Sequence, residues 1–199
     1  TSPKRLFWIC ALLLILIVAG GGCGFISATL SNLPDVSNVR PSASSQIYDV
    51  HGNLITTVHS TENRLPVPLK DVPKDLQNAF VATEDSRFYS HHGIDPVGIL
   101  RAVWVNIVHS GVSEGGSTIT QQLARNAFLS QDRTFKRKIS EALLALKIEQ
   151  HYTKDEILEM YMNQIYFGQG AYGVQSAAHV YFGKDASQLT LAQAALIAG

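Results

Sequence analysis

Four groups of residues carry types and spacings that can do chemistry. The first is Glu84-Asp85-Ser86-Arg87-Phe88-Tyr89-Ser90-His91-His92-Gly93. An apolar helical pattern through Leu76, Ala79 and Phe80 runs into Glu84. A carboxylate at that end of a helix faces the negative pole of the macrodipole, which disfavours its charged form. That property suits a general acid or base working near neutrality. The plainer alternative is a solvated carboxylate pair in a loop. His91 and His92 read as structural histidines before they read as ligands.

The second group is Gly115-Gly116-Ser117-Thr118-Ile119-Thr120-Gln121-Gln122-Leu123-Ala124-Arg125-Asn126. Two glycines followed by Ser117 and Thr118 open a helix whose free amides and hydroxyls would attract an anion. An ordinary N-cap explains Ser117 and Thr118 equally well. It does not explain Gln121 and Gln122 followed by Arg125 and Asn126. A nucleotide P-loop is excluded, because no G-x-x-x-x-G-K-[ST] occurs.

The third group is cationic: Arg125, Arg133, Lys136, Arg137 and Lys138 lie within 14 residues, against the single acid Asp132. Such a concentration suits phosphate, although a charge run is also the signature of a solvated helix face. The fourth is Glu141, four residues after Arg137 and three after Lys138 on one helical face. It is either an intrahelical ion pair or a carboxylate kept ionised among cations, able to hold a divalent metal for a diphosphate. Glu149 is expected as its structural neighbour. Two carboxylates, an anion-binding helix start and a cation cluster together suit transfer of a sugar from a diphosphate donor.

The elements that must position these groups follow from patterning. The chain has 199 residues, a formal net charge of zero and 46% hydrophobic residues. Neutrality excludes a nucleic-acid binder held by bulk charge, and the apolar content excludes disorder. Leu6 to Leu30 holds no charged residue, and as a helix of about 38 Å it would cross a hydrocarbon layer of about 30 Å. Lys4 and Arg5 precede it, so the expected topology is a cytoplasmic stub at 1–5, a single transmembrane helix at 6–30 and an exported remainder. Residues 31–45, rich in Ser, Pro and Asn, read as a linker. A cleaved signal peptide is the competing reading. Both cysteines, Cys10 and Cys23, fall in the apolar segment, so the exported part has no disulfide, zinc site or thiol nucleophile.

From Gln46 to Ser60 two β-prone runs flank His51-Gly52-Asn53 as a hairpin. The rest reads as helix. Asp95-Pro96 is an N-cap with proline at the first helical position, and Val97, Leu100, Trp104, Ile107 and Val108 recur at helical spacing up to Gly111. A helix starting at Asp132 or Arg133 and ending near His151 is expected to place Phe135, Ile139, Ala142, Leu143 and Leu146 on its apolar face. Thr153 to Glu156 is a capping box for a helix closed by Gly168. Ala171 to Phe182 reads as helical with Gly183 as C-cap, and Thr190 to Gln193 is a further capping box. The chain stops at Gly199 inside an apolar helix, which reads as truncation of a longer protein. The fold class is therefore mostly α with a small N-terminal β-hairpin.

With these motifs on the page, residues 46–199 resemble the peptidoglycan glycosyltransferases (glycosyltransferase family 51) of class A penicillin-binding proteins. The family's E-D-x-x-F-x-x-H-x-G stands as Glu84, Asp85, Phe88, His91 and Gly93. Its G-x-S-T-I-x-Q-Q is Gly115 through Gln122, and R-K-x-x-E is Arg137, Lys138 and Glu141. I-L-E-x-Y-x-N runs from Ile157 to Asn163, and A-A-x-x-Y-F-G-K from Ala177 to Lys184. Five motifs in order make the resemblance highly specific.

The resemblance implies a lysozyme-like α domain, C-terminally truncated and without its transpeptidase half, anchored in a bacterial cytoplasmic membrane. Its implied activity is polymerisation of lipid II into β-1,4 glycan by inverting transfer from an undecaprenyl-diphosphate donor. Glu84 would be the general base. Glu141, with a divalent cation (Mg or Mn), and Arg125 and Arg133 would steady the diphosphate. Ser117, Thr118, Gln121, Gln122, Arg137 and Lys138 would complete the substrate site. Arg125 stands where many members have lysine, which keeps the charge but changes its geometry. The implied partners are lipid II, the growing glycan, the membrane and other cell-wall synthesis proteins. The segment 97–108, including Trp104, would lie against the bilayer, with core packing as its alternative. A lysozyme-like peptidoglycan hydrolase or lytic enzyme is the rival activity, and it would have no use for a diphosphate site.

Overall fold

The computed structural model describes residues 28–31, 33–37, 45–52, 54–58, 63–109, 115–129, 132 and 134–199. They divide into two compact units, residues 1–35 and 36–199. In the first, residues 28–31 form one helical turn, with Ser31 Oγ donating to the Ala28 carbonyl at 3.0 Å. The apolar span 6–30 lies outside the described residues except for its last three positions. Among the described residues no helix is long and apolar enough to cross a membrane.

The second unit is mostly helical. Strands β1 (Ser45–Tyr48) and β2 (Leu54–Val58) pair antiparallel as the expected hairpin, with a register irregularity between Ile47 and Tyr48. Among the described residues seven α-helices follow: α1 (Lys74–Glu84), α2 (Pro96–Val108), α3 (Ile119–Phe128), α4 (Phe135–His151), α5 (Lys154–Gln164), α6 (Val174–Phe182) and α7 (Leu191–Ala198). Short strands β3 (Asn63–Arg64) and β4 (Ala171–Tyr172) pair in parallel. The segment after β3 is strapped to the helices by side chains: the Leu65, Val67 and Leu69 amides donate to Ser176 Oγ, Asn163 Oδ1 and Glu159 Oε2 at 2.7–3.0 Å. These bonds satisfy backbone groups that no sheet reaches.

The core is formed by one face of each of α1, α3, α4 and α5. Leu76, Phe80, Ile119, Leu123, Leu144, Ile148, Ile157, Leu158 and Met162 are buried there. Phe80 meets Tyr161 and Phe167 edge-on, at ring separations of 6.2 and 6.0 Å, the geometry that aromatic quadrupoles favour.

Most caps stand where the residue types put them. Asp95 accepts from the Val97 amide at 3.1 Å, and Thr153 and Thr190 each close a capping box. Four expectations are corrected. The helix expected from Asp132 or Arg133 starts at Phe135, because Thr134 caps it by accepting from the Arg137 amide at 3.1 Å. Its inner face is Glu141, Leu144, Ala145 and Ile148, whereas Phe135 is 81% exposed and Leu146 is also exposed. The observed stripe lies two residues on from the expected one, because a buried carboxylate heads it. Helix α5 ends at Gln164, with Ile165 as its C-cap, before Gly168 is reached. Ala171 and Tyr172 form β4 rather than helix, and α6 begins at Val174.

Candidate active site

Glu84 is the last residue of α1. Its Oε2 accepts from Gln122 Nε2 at 2.7 Å, and Gln122 Oε1 in turn accepts from the Tyr161 hydroxyl at 3.3 Å. Three helices thus meet at one carboxylate. Burial raises the Tyr161 phenol above its ordinary range, and the charge of Glu84 adds to the effect. Arg125 offsets it in part, and Asp85 reinforces it. The phenol stays a neutral O–H donor.

Asp85 sets the frame. It is buried, with His91 Nε2 3.0 Å from both of its oxygens, and its Oδ2 accepts from the Ile119 amide at 3.0 Å. The start of α3 was expected to draw an external anion. Instead its first amide is taken by the protein's own carboxylate, which also suits the positive pole of the helix. Thr118 Oγ1 accepts from the Gln121 amide and Gln121 Oε1 from the Thr118 amide, both at 3.1 Å. Thr118 Oγ1 also donates to the Gly93 carbonyl at 2.6 Å. Both side chains are buried. Thr118 and Gln121, read from sequence as substrate-binding, therefore hold α3 in place by internal bonds.

Gly93 makes that last bond possible. It has φ +82°, a conformation that L side chains avoid, and an added Cβ would stand 2.9 Å from the Ala145 carbonyl.

Two clefts meet at Glu84. One, of about 690 Å³, is lined by Arg64, Phe80, Tyr161, Tyr166 and Tyr172 among others. The second, of about 810 Å³, is lined by Thr83, Ser86, Arg101, Gly115 and Ser117. Glu84, Gln122 and Arg125 belong to both walls. Arg101, Arg64 and Tyr161 were not singled out by sequence reasoning. Only Tyr161 carried a signal, as the tyrosine of I-L-E-x-Y-x-N.

The basic cluster sits beside the second cleft. Lys138 Nζ donates to Ser117 Oγ at 2.6 Å and to Glu141 Oε2 at 2.9 Å. Arg137 donates to Glu141 Oε1. Glu141 is 1% exposed, so its charge is held by two cations rather than by water. Desolvation lowers the Lys138 pKa, and Arg125 and then Arg137 lower it further, as expected where like charges converge. Glu149, further along the same helix, has partners of its own: it accepts from Thr120 Oγ1 at 2.6 Å and from Lys154 Nζ at 2.7 Å. Arg133 lies outside the described residues.

Among the described residues no three of His, Cys, Asp and Glu gather where a metal ion could sit. Both oxygens of Glu141 are committed to cations. That donor set does not fit a resident divalent metal.

Helix α2 presents the other unusual surface. Leu100 is 70% and Trp104 69% exposed, and Val97, Val103, Ile107 and Val108 are exposed with them. Core packing within the described residues, one of the two alternatives for this segment, is therefore excluded.

One carboxylate and one guanidinium, Glu84 and Arg125, thus stand where two clefts meet, within reach of groups bound in either. A family model described as transglycosylase matches residues 51–199. The chain belongs to the transglycosylase family. It is 52% identical to penicillin-binding protein 1A of Escherichia coli over 198 residues, 98% of this chain and 23% of that protein. Penicillin-binding protein 1F of Bacillus subtilis is 51% identical over 156 residues, 78% of this chain and 22% of that protein. Penicillin-binding protein 1A of Aquifex aeolicus is 50% identical over 177 residues, 87% of this chain and 24% of that protein. The chain spans less than a quarter of the length of these relatives.

Proposed function

We propose that this domain is a peptidoglycan glycosyltransferase that polymerises lipid II into β-1,4 glycan. The observation that carries the reading is the sharing of Glu84, Gln122 and Arg125 by two clefts. A transferase must hold donor and acceptor on either side of one proton acceptor, and a carboxylate shared by two clefts supports that reading.

The diphosphate-bearing donor occupies the second cleft, beside Ser117, Lys138 and Arg125. The acceptor sugar occupies the first, against Tyr166 and Tyr172. Glu84 takes the proton of the acceptor 4-hydroxyl as that oxygen attacks the donor anomeric carbon. The new glycosidic C–O bond forms, and the bond from the anomeric carbon to the diphosphate oxygen breaks with inversion. The electron pair leaves on the diphosphate, whose charge Arg125, Lys138 and Arg133 stabilise. Glu141 holds Arg137 and Lys138 in place through its two oxygens. Magnesium or manganese has a part here only as a companion of the diphosphate. The exposed face of α2 rests on the cytoplasmic membrane that carries the lipid substrate, and the span 6–30 anchors the chain there.

The test is Glu84→Gln in the full-length protein with lipid-linked precursor. Polymerisation should fall by at least about 100-fold, with donor binding nearly unchanged. Lost binding would give Glu84 a structural role. Glycan shortening without polymer growth, from finished wall, would favour a hydrolase.

A further inference from the structure

The Glu84–Gln122 bond leaves a question of orientation. An amide has two ends of nearly equal shape, one that donates and one that accepts. With Nε2 toward Glu84, the amide stabilises an ionised carboxylate, ready to take a proton. With Oε1 toward Glu84, it would stabilise the protonated form, which is useless as a base.

Tyr161 decides between them. It is 2% exposed, and Gln122 Oε1 is the only hydrogen-bond partner of its hydroxyl among the described residues. Burial, and then the charge of Glu84, hold the phenol neutral, so it keeps its proton and donates it. Its ring is held edge-on by Phe80, so the hydroxyl has little freedom to turn elsewhere. Backbone ties fix both ends of the relay. Gln122 is one turn into the α3 start that Asp85 and Thr118 pin, and Tyr161 lies in the buried face of α5.

Resting on the glycosyltransferase reading above, we propose that Tyr161 is a positioning residue: its hydroxyl fixes the Gln122 amide so that Nε2 faces Glu84 and keeps that carboxylate in its proton-accepting form. Other charged groups face Glu84 as well. Asp85 follows it in the chain, Arg125 comes from α3, and Arg101 and Arg64 line one cleft each. Among the described residues it is the Tyr161 hydroxyl that donates to the Gln122 amide oxygen.

The experiment compares wild type, Tyr161→Phe, Gln122→Ala and the double variant, each as full-length protein in lipid vesicles with lipid-linked precursor. Phenylalanine keeps the ring and its packing on Phe80. Tyr161→Phe should lower kcat by about 10- to 100-fold, less than loss of a direct donor, with KM within about twofold. The acid limb of its pH–rate profile should move to higher pH. Adding Tyr161→Phe to Gln122→Ala should cost nothing further, because the hydroxyl acts only through that amide. Wild-type rate and profile in Tyr161→Phe would overturn the inference alone, as would an additive double variant or a loss confined to KM. Loss of cooperative unfolding in Tyr161→Phe would also overturn it, since the hydroxyl would then hold the fold. A wild-type protein that makes no polymer would instead remove the glycosyltransferase reading itself.

Discussion

Asp85 and Ile119 stand 34 residues apart in the chain and are joined by one bond, from the Ile119 amide to Asp85 Oδ2 at 3.0 Å. The residue after the proposed base thereby grips the first turn of the helix that carries Gln122 and Arg125. Converting Asp85 to Asn leaves one acceptor oxygen for two donors, Ile119 and His91. We expect a loss of about 1.5–3 kcal/mol in stability, the range for buried bonds to charged groups, with polymerisation reduced in parallel. Urea unfolding and initial rates on the same preparation check it. An unchanged midpoint would show the grip to be dispensable.

Arg137 and Glu141 give a second expectation. Arg137→Met strips one of two cations from a carboxylate that is 1% exposed. Destabilisation by about 3 kcal/mol is expected, and Glu141→Gln in the same chain should recover part of it. Denaturant midpoints of the two variants decide. Lost activity at full stability would instead place Arg137 against the substrate.

Arg125 reaches both clefts, so Arg125→Ala should weaken donor binding about tenfold or more at low ionic strength. The gap should narrow as salt rises, because exposed charges are screened within about 10 Å at 0.1 M. Arg133→Ala is expected to behave alike. Titration at two salt concentrations separates charge from packing, and a salt-independent deficit would argue for packing.

Tyr161 makes the fold sensitive to alkali. Its folded pKa is raised, first by burial and then by Glu84, so above the ordinary tyrosine value of 10.0 the native state holds a proton that the unfolded chain releases. Stability from this group is complete below that value and falls as pH climbs past it toward the raised folded value. Thermal unfolding of Tyr161→Phe between pH 9 and about 11.5 should show a shallower decline than wild type. Identical slopes would contradict the assignment.

The α2 surface predicts membrane partition. Leu100→Ser and Trp104→Ser each remove an exposed side chain worth about 1.5–3 kcal/mol when fully inserted. Vesicle binding should drop about tenfold or more per substitution, with unfolding unchanged. Equal sedimentation with vesicles would leave the helix face without a lipid role.

Local signals were legible in the sequence wherever one residue type does one job. Asp95-Pro96, Thr153, Thr190 and Gly183 mark helix ends through bonds spanning two to four positions, and they stand where expected. The inner face of α4 was misread because Glu141 heads it, and periodicity counts a buried ion pair as surface. The partners of Glu149 are not local either: Thr120 and Lys154 reach it from α3 and α5. The relay from Tyr161 through Gln122 to Glu84 spans gaps of 39 and 38 residues. No local pattern encodes such a meeting. It arises only once helices pack.

At Gly93, where a carbonyl receives the Thr118 hydroxyl and an absent methyl admits the Ala145 main chain, three stretches of polypeptide touch. Main chain has no rotamers with which to yield. Any larger residue there would have to lever a whole helix outward, and the basic cluster it bears would travel with it. The spacing between proton acceptor and diphosphate cradle is thus gauged by a single hydrogen atom.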